Sequence, residues 1–69
     1  MYVILDKDST AFYNNNKVYV SKPGSVSPFT FGARHFRTVE NAQKYIEKLN
    51  KRNVKVYGHV SNYEIVEDK

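Results

Sequence analysis

The sequence predicts an α+β fold, a small antiparallel β-sheet with one amphipathic helix packed on one face, in β-β-α-β order. Three observations predict it. One segment of the 69-residue chain repeats apolar residues at helical spacing: Val39, Ala42, Ile46 and Leu49. Short β-friendly runs flank it, among them Tyr2-Val3-Ile4-Leu5 and Tyr63-Glu64-Ile65-Val66-Glu67. No linker, repeat or low-complexity stretch divides the chain, so residues 1–69 read as one domain with one core.

The elements follow in order. Tyr2 to Leu5 is a strand by composition, and Asp6-Lys7-Asp8-Ser9 behind it has turn chemistry. Thr10-Ala11-Phe12-Tyr13 reads as a short second strand, and Asn14-Asn15-Asn16 as a turn between β-friendly flanks. Lys17 to Ser21 alternates polar and apolar residues and reads as a further strand. Lys22 to Pro28 reads as an extended surface loop, because its two prolines cannot donate to a central ladder. Phe29-Thr30-Phe31 is expected to re-enter the core.

The helix is expected from about Val39 to Lys51. Thr38 is a good N-cap, since its hydroxyl can accept from a free first-turn N–H. Glu40 in the first turn, and Lys51 and Arg52 at the end, suit the macrodipole. Glu40 with Lys44, and Glu47 with Lys51, are expected as i,i+4 pairs on the outer face. Asn50 or Asn53 is expected to close the helix in a left-handed conformation. Val54-Lys55-Val56-Tyr57 then reads as a strand or extended arm, Gly58-His59 as a turn, and Tyr63 to Glu67 as the last strand. One helix covers one sheet face. The other is expected to carry Tyr19, Tyr57 and either Phe12 or Tyr13.

Composition narrows the function. There is no cysteine, which excludes a disulfide, a thiolate metal site and a catalytic thiol, and favours a reducing, cytoplasmic compartment. The run Tyr2 to Leu5 is far too short for a membrane span or a signal-peptide core. The net charge is +4, unevenly placed. Residues 17–55 hold nine basic side chains against Glu40 and Glu47, a balance of +7; the two ends together balance at −3. Pairing of the terminal strands would give an acidic edge on a basic body, a dipole that can steer a charged partner.

No constellation points to catalysis. His35 and His59 are 24 positions apart with no ligand-spaced neighbour, so no metal site is expected. Ser25, His35 and Asp8 can be drawn as a triad, but nothing resembles a nucleophile elbow. Asp6 and Asp8 read as turn formers, and Gly24, Gly32 and Gly58 are isolated, so there is no phosphate-binding glycine loop. The expectation is a non-enzymatic protein without a cofactor.

A resemblance supplies the rest. Ala33, Phe36, Thr38, Ala42, Tyr45, Ile46 and Leu49 form an A-x-x-F-x-T-x-x-x-A-x-x-Y-I-x-x-L pattern, followed by Tyr63-Glu64-Ile65-Val66. With the opening Tyr2-Val3-Ile4, this is similar to short accessory proteins of phages and prophages of Gram-positive bacteria. The resemblance implies a binding-and-blocking role in the host cytoplasm: inhibition of a host macromolecule such as a polymerase, a nuclease or a defence system, as anti-CRISPR proteins do. The implied partner is a host protein or a protein–nucleic-acid complex. Basic and aromatic residues are expected to make the contact: Tyr19, Lys22, Arg34, His35, Arg37 and Tyr57. The alternative is direct DNA or RNA binding by a basic, tyrosine-bearing surface. For that reading the helix face with Lys44, Lys48, Lys51 and Arg52 is a second phosphate-contacting candidate, although its interspersed glutamates fit an ordinary solvated face. Homodimerisation through the uncovered face or a sheet edge is a further expectation.

Overall fold

A computed structural model describes residues 1–22 and 25–68. Pro23 and Gly24, part of the expected surface loop, lie outside the described residues. The fold class is as expected, a four-stranded antiparallel sheet with a long helix across one face. The elements are β1 (Tyr2–Asp6), α1 (Lys7–Phe12), β2 (Tyr19–Lys22), β3 (Ser25–Ser27), a 3₁₀ turn (Thr30–Gly32), α2 (Val39–Tyr57) and β4 (Tyr63–Glu67). The strand order is β3-β2-β1-β4. The terminal strands pair along their length, from Tyr2 opposite Glu67 to Asp6 opposite Tyr63. The acidic edge of the molecule is therefore formed.

β1 and β2 share only the pair Leu5 and Tyr19 in register. Beyond it they part, and the segment 33–36 fills the gap. Arg34 donates its N–H to Val20 O at 3.0 Å, while Tyr2 and Phe36 exchange two backbone bonds of 2.8 Å. This wedge keeps buried polar groups paired where the strands diverge. It also seats Phe36 in the core. That core joins Ile4, Val20, Phe36, Ala42, Ile46 and Leu49, with Tyr2, Tyr45, Tyr63 and Ile65 packed around it. Strand alternation sends Val3, Leu5, Tyr19 and Val66 to the other face. On that face Val3 and Leu5 are buried, while Tyr19 and Val66 are half-buried. That face keeps Tyr19, but Tyr57 belongs to α2 and Phe12 and Tyr13 to the end of α1.

Four local readings are corrected. First, residues 7–12 are a helix rather than a turn and a strand. Asp6 is its N-cap, accepting from Ser9 N–H at 3.0 Å. The asparagine turn stands: Asn14 and Asn15 adopt φ of 59° and 65°, and Asn15 N–H bonds Thr10 O at 2.8 Å, closing α1 as a Schellman motif. Second, Ser25–Ser27 is a short edge strand on β2. An edge is where a neighbouring proline is tolerated. Third, Phe29 and Phe31 do not enter the core; they are 58% and 83% exposed. Fourth, α2 runs six residues beyond Lys51, through the segment read as an arm, so Lys51 and Arg52 are interior to it.

Thr38 caps α2 as expected, accepting from Asn41 N–H at 3.1 Å. The buried stripe is Ala42, Ile46, Leu49 and Asn53; Val39 is 48% exposed. Neither asparagine ends the helix. Gly58 does, at φ +79°, donating its N–H to Val54 O at 3.0 Å. A Cβ there would meet no atom within 4 Å, so alanine at 58 strains only the backbone. Gly58→Ala is expected to cost about 1 kcal/mol and to lower the Tm by about 4–8 °C in a thermal melt. Gly58→Asn should lose less, because asparagine tolerates this conformation.

β4 is the longer of the two free edges. Its exposed Glu64 and Glu67 are the kind of charged edge residues that discourage pairing with a second copy.

Candidate functional site

The six residues expected to meet a partner fall into separate places. Tyr19 lies on the sheet face away from α2. His35 is held by the chain itself, with Nδ1 3.0 Å from Ala33 O and Nε2 2.7 Å from Asp68 Oδ2. Arg34 is folded over rings, its guanidinium carbon 4.8 Å from the Tyr45 centroid and 5.7 Å from that of Phe36. This cation–π stacking seals the edge of the core. Arg37 is exposed just before the Thr38 cap. Lys22 and Tyr57 come together, with Arg52, along one groove.

That groove has a volume of ≈ 440 Å³ and opens between the β2–β3 pair, α1 and the C-terminal half of α2. It lies where α2, packed mainly over β1 and β4, reaches β2 only through the buried Val20. Its carboxylates are occupied internally. Asp6 caps α1, and Asp8 accepts from the backbone and side-chain N–H groups of Asn62 at 3.0 and 3.2 Å. Asn53 lines the groove and is 5% exposed. Its amide donates to Tyr63 OH at 2.8 Å, Ser61 Oγ at 3.3 Å and Asn50 Oδ1 at 3.4 Å. Ser61 N–H in turn donates to Asn50 Oδ1 at 2.9 Å. The groove wall is thus a closed hydrogen-bond network that fixes the end of α2 against β4. Among the described residues, no group of three or more histidine and acidic side chains is placed to hold a metal.

Two other surfaces are better defined. The first is the turn that carries Phe29 and Phe31. Their rings stack with centroids 5.1 Å apart and planes 12° from parallel. The turn is braced from below. Ser27 Oγ donates to Phe29 O at 3.0 Å and accepts Phe29 N–H at 3.2 Å. Gly32 and Ala33 donate to Phe29 O and Thr30 O. A Cβ on Gly32 would lie 2.6 Å from Ser27 Oγ, so glycine lets the turn close onto β3. Sequence reasoning missed this pair, because large apolar residues are most often buried. The available signal was the bracketing Pro28 and Gly32, both turn formers.

The second surface is the outer face of α2. Lys44, Lys48, Lys51 and Lys55 recur at spacings of four, three and four, which places them within about 60° of one another on the helix and opposite its buried stripe. Three of them were expected on this face; Lys55 joins because the helix continues. The expected pairs of Glu40 with Lys44 and Glu47 with Lys51 do not close. Among the described residues the one ion pair is His35 with Asp68. Arg52 turns off the stripe toward the groove. Neighbouring like charges at these spacings cost about 0.2–0.5 kcal/mol per pair. The chain keeps that cost along its most exposed helical face.

No family model, no curated protein and no solved structure matches the chain. Among the described residues, no helix is long and apolar enough to cross a membrane.

Proposed function

We propose that the protein is a non-enzymatic binding module of the phage or prophage accessory kind. In this reading it binds and inhibits a host protein or protein–nucleic-acid complex in the host cytoplasm. The observation that carries the reading is the braced turn with Phe29 and Phe31. Burying a large apolar side chain is worth roughly 1.5–3 kcal/mol, and these two phenylalanines stand in solvent as a stacked pair. The bonds from Ser27 and the 3₁₀ turn fix their backbone in advance, so little ordering entropy remains to be lost on docking. Rigid aromatic anchors on a protruding turn suit insertion into an apolar pocket of a partner protein.

The test is capture from a Gram-positive lysate on immobilised protein, identification of the retained protein, and titration of that protein in purified form. Phe29→Ala with Phe31→Ala is expected to weaken its affinity by about 30-fold or more, the scale of a hot-spot pair. The Tm should stay near that of the parent, since both rings are exposed. Unchanged affinity in the double variant counts against the reading, as does a lysate that yields no specific partner.

A further inference from the structure

We infer that the outer face of α2 is a contact site for a nucleic-acid phosphate backbone, read without regard to sequence. The inference rests on the lysine row and is independent of the phenylalanine turn. Lys44, Lys48, Lys51 and Lys55 stand about 6, 4.5 and 6 Å apart along the helix axis, a row of about 16 Å. They make no ion pair among the described residues. Glu40 and Glu47 lie on one flank of the row, Glu47 beside Lys44, Lys48 and Lys51, so four lysines stand against two glutamates and the face keeps a net positive charge. An ordinary solvated helix face closes its i,i+4 pairs; here Glu40 with Lys44 and Glu47 with Lys51 stay open.

The residue type narrows the occupant. A lysine ammonium is a point charge on a flexible stem, which follows a row of phosphates without demanding a fixed fork geometry. Arginine, the residue that reads guanine edges bidentately, is absent from the row, and Arg52 faces the groove instead. No exposed ring lies within the row to stack on an unpaired base. The face therefore supplies backbone attraction and no base readout. A duplex presents one charge per about 1.7 Å of axis, so a row of about 16 Å faces enough phosphates for all four lysines to be neutralised together.

The test is fluorescence anisotropy with a labelled DNA duplex of about 20 base pairs and its single strand, titrated from low to physiological salt. Four lysine–phosphate contacts predict log K falling with log salt at a slope of about −3.6 for duplex and about −2.8 for the single strand. Lys48→Gln with Lys51→Gln should reduce the duplex slope by about 1.8 and weaken low-salt binding by tenfold or more. Lys7→Gln with Lys17→Gln removes the same charge elsewhere and should leave most of the binding in place. Circular dichroism confirms that each variant is folded. Three outcomes overturn the inference: no binding at low salt, equal loss in the two double variants, or equally tight binding of polyglutamate of matched length. Because Phe29 and Phe31 are untouched in these variants, partner capture distinguishes failure here from failure of the protein-binding reading.

Discussion

Ile46→Asp is expected to abolish the cooperative thermal transition. Ile46 is 9% exposed and packs in the cluster with Ile4, Val20, Phe36, Ala42 and Leu49, where no member carries a charge. Truncating such a side chain costs about 2–5 kcal/mol before the carboxylate is considered. A carboxylate there sits among apolar side chains, so it must drag water in or push α2 off the sheet. Against this stands the stability of a domain of this size, about 3–10 kcal/mol at 0.05–0.15 kcal/mol per residue. The loss consumes most or all of it. Lys44→Asp on the opposite face of the same helix is the control, expected within about 0.5 kcal/mol of the parent. A parental melting curve from Ile46→Asp would mean that the helix is not held by this seam.

That seam was legible because it needs only a period. Ala42, Ile46 and Leu49 announce one face of a helix, and Thr38 announces its start. The period does not say how far along the helix the sheet reaches, which is why Val39 shares the face yet stands half in solvent. It also does not reward a polar residue. Asn53 lies one step further along the same stripe, but an asparagine in sequence reads as a stop. Val54, Lys55, Val56 and Tyr57 alternate like a strand and compounded the error. All four are exposed, so nothing packs against that alternation; the helix carries through it and halts where Gly58 supplies the left-handed φ.

The candidate surfaces were legible by residue type and hardly at all by position. Tyr19, Lys22, Arg34, His35, Arg37 and Tyr57 share a chemistry, yet the fold sends them to the two sheet faces, the groove and the helix approach. Arg34 and His35 are adjacent in sequence and find separate partners, because successive residues of an extended segment point to opposite sides. The lysine row was visible up to Lys51, since its spacing is that of the helix itself. The phenylalanine turn was hidden by the rule that found the core. The seats under α2 are filled by Tyr2, Phe36, Tyr45 and Tyr63 among others, leaving Phe29 and Phe31 outside.

Asn53→Asp is the second large effect, since it changes chemistry at constant shape. In the parent the Asn53 amide nitrogen donates at the centre of the network, where it faces three acceptors. Two of these, Ser61 Oγ and Tyr63 OH, are hydroxyls that can turn and donate to a carboxylate. Asn50 Oδ1 cannot, because it is an acceptor already bound to Ser61 N–H. The aspartate would thus place a charge in a site that is 5% exposed, against an oxygen that repels it. A loss of about 2–4 kcal/mol is expected, read as a fall in Tm of roughly 10–25 °C. Asn53→Ala, which removes the donor without adding charge, should lose about 1–3 kcal/mol. The damage should begin locally, where the end of α2 meets the start of β4, so hydrogen exchange at Ser61 N–H should quicken before that of the β1–β4 ladder. If aspartate at 53 melts like the parent and Ser61 keeps its protection, the network does not fasten α2 to β4, and the groove it lines loses its fixed wall.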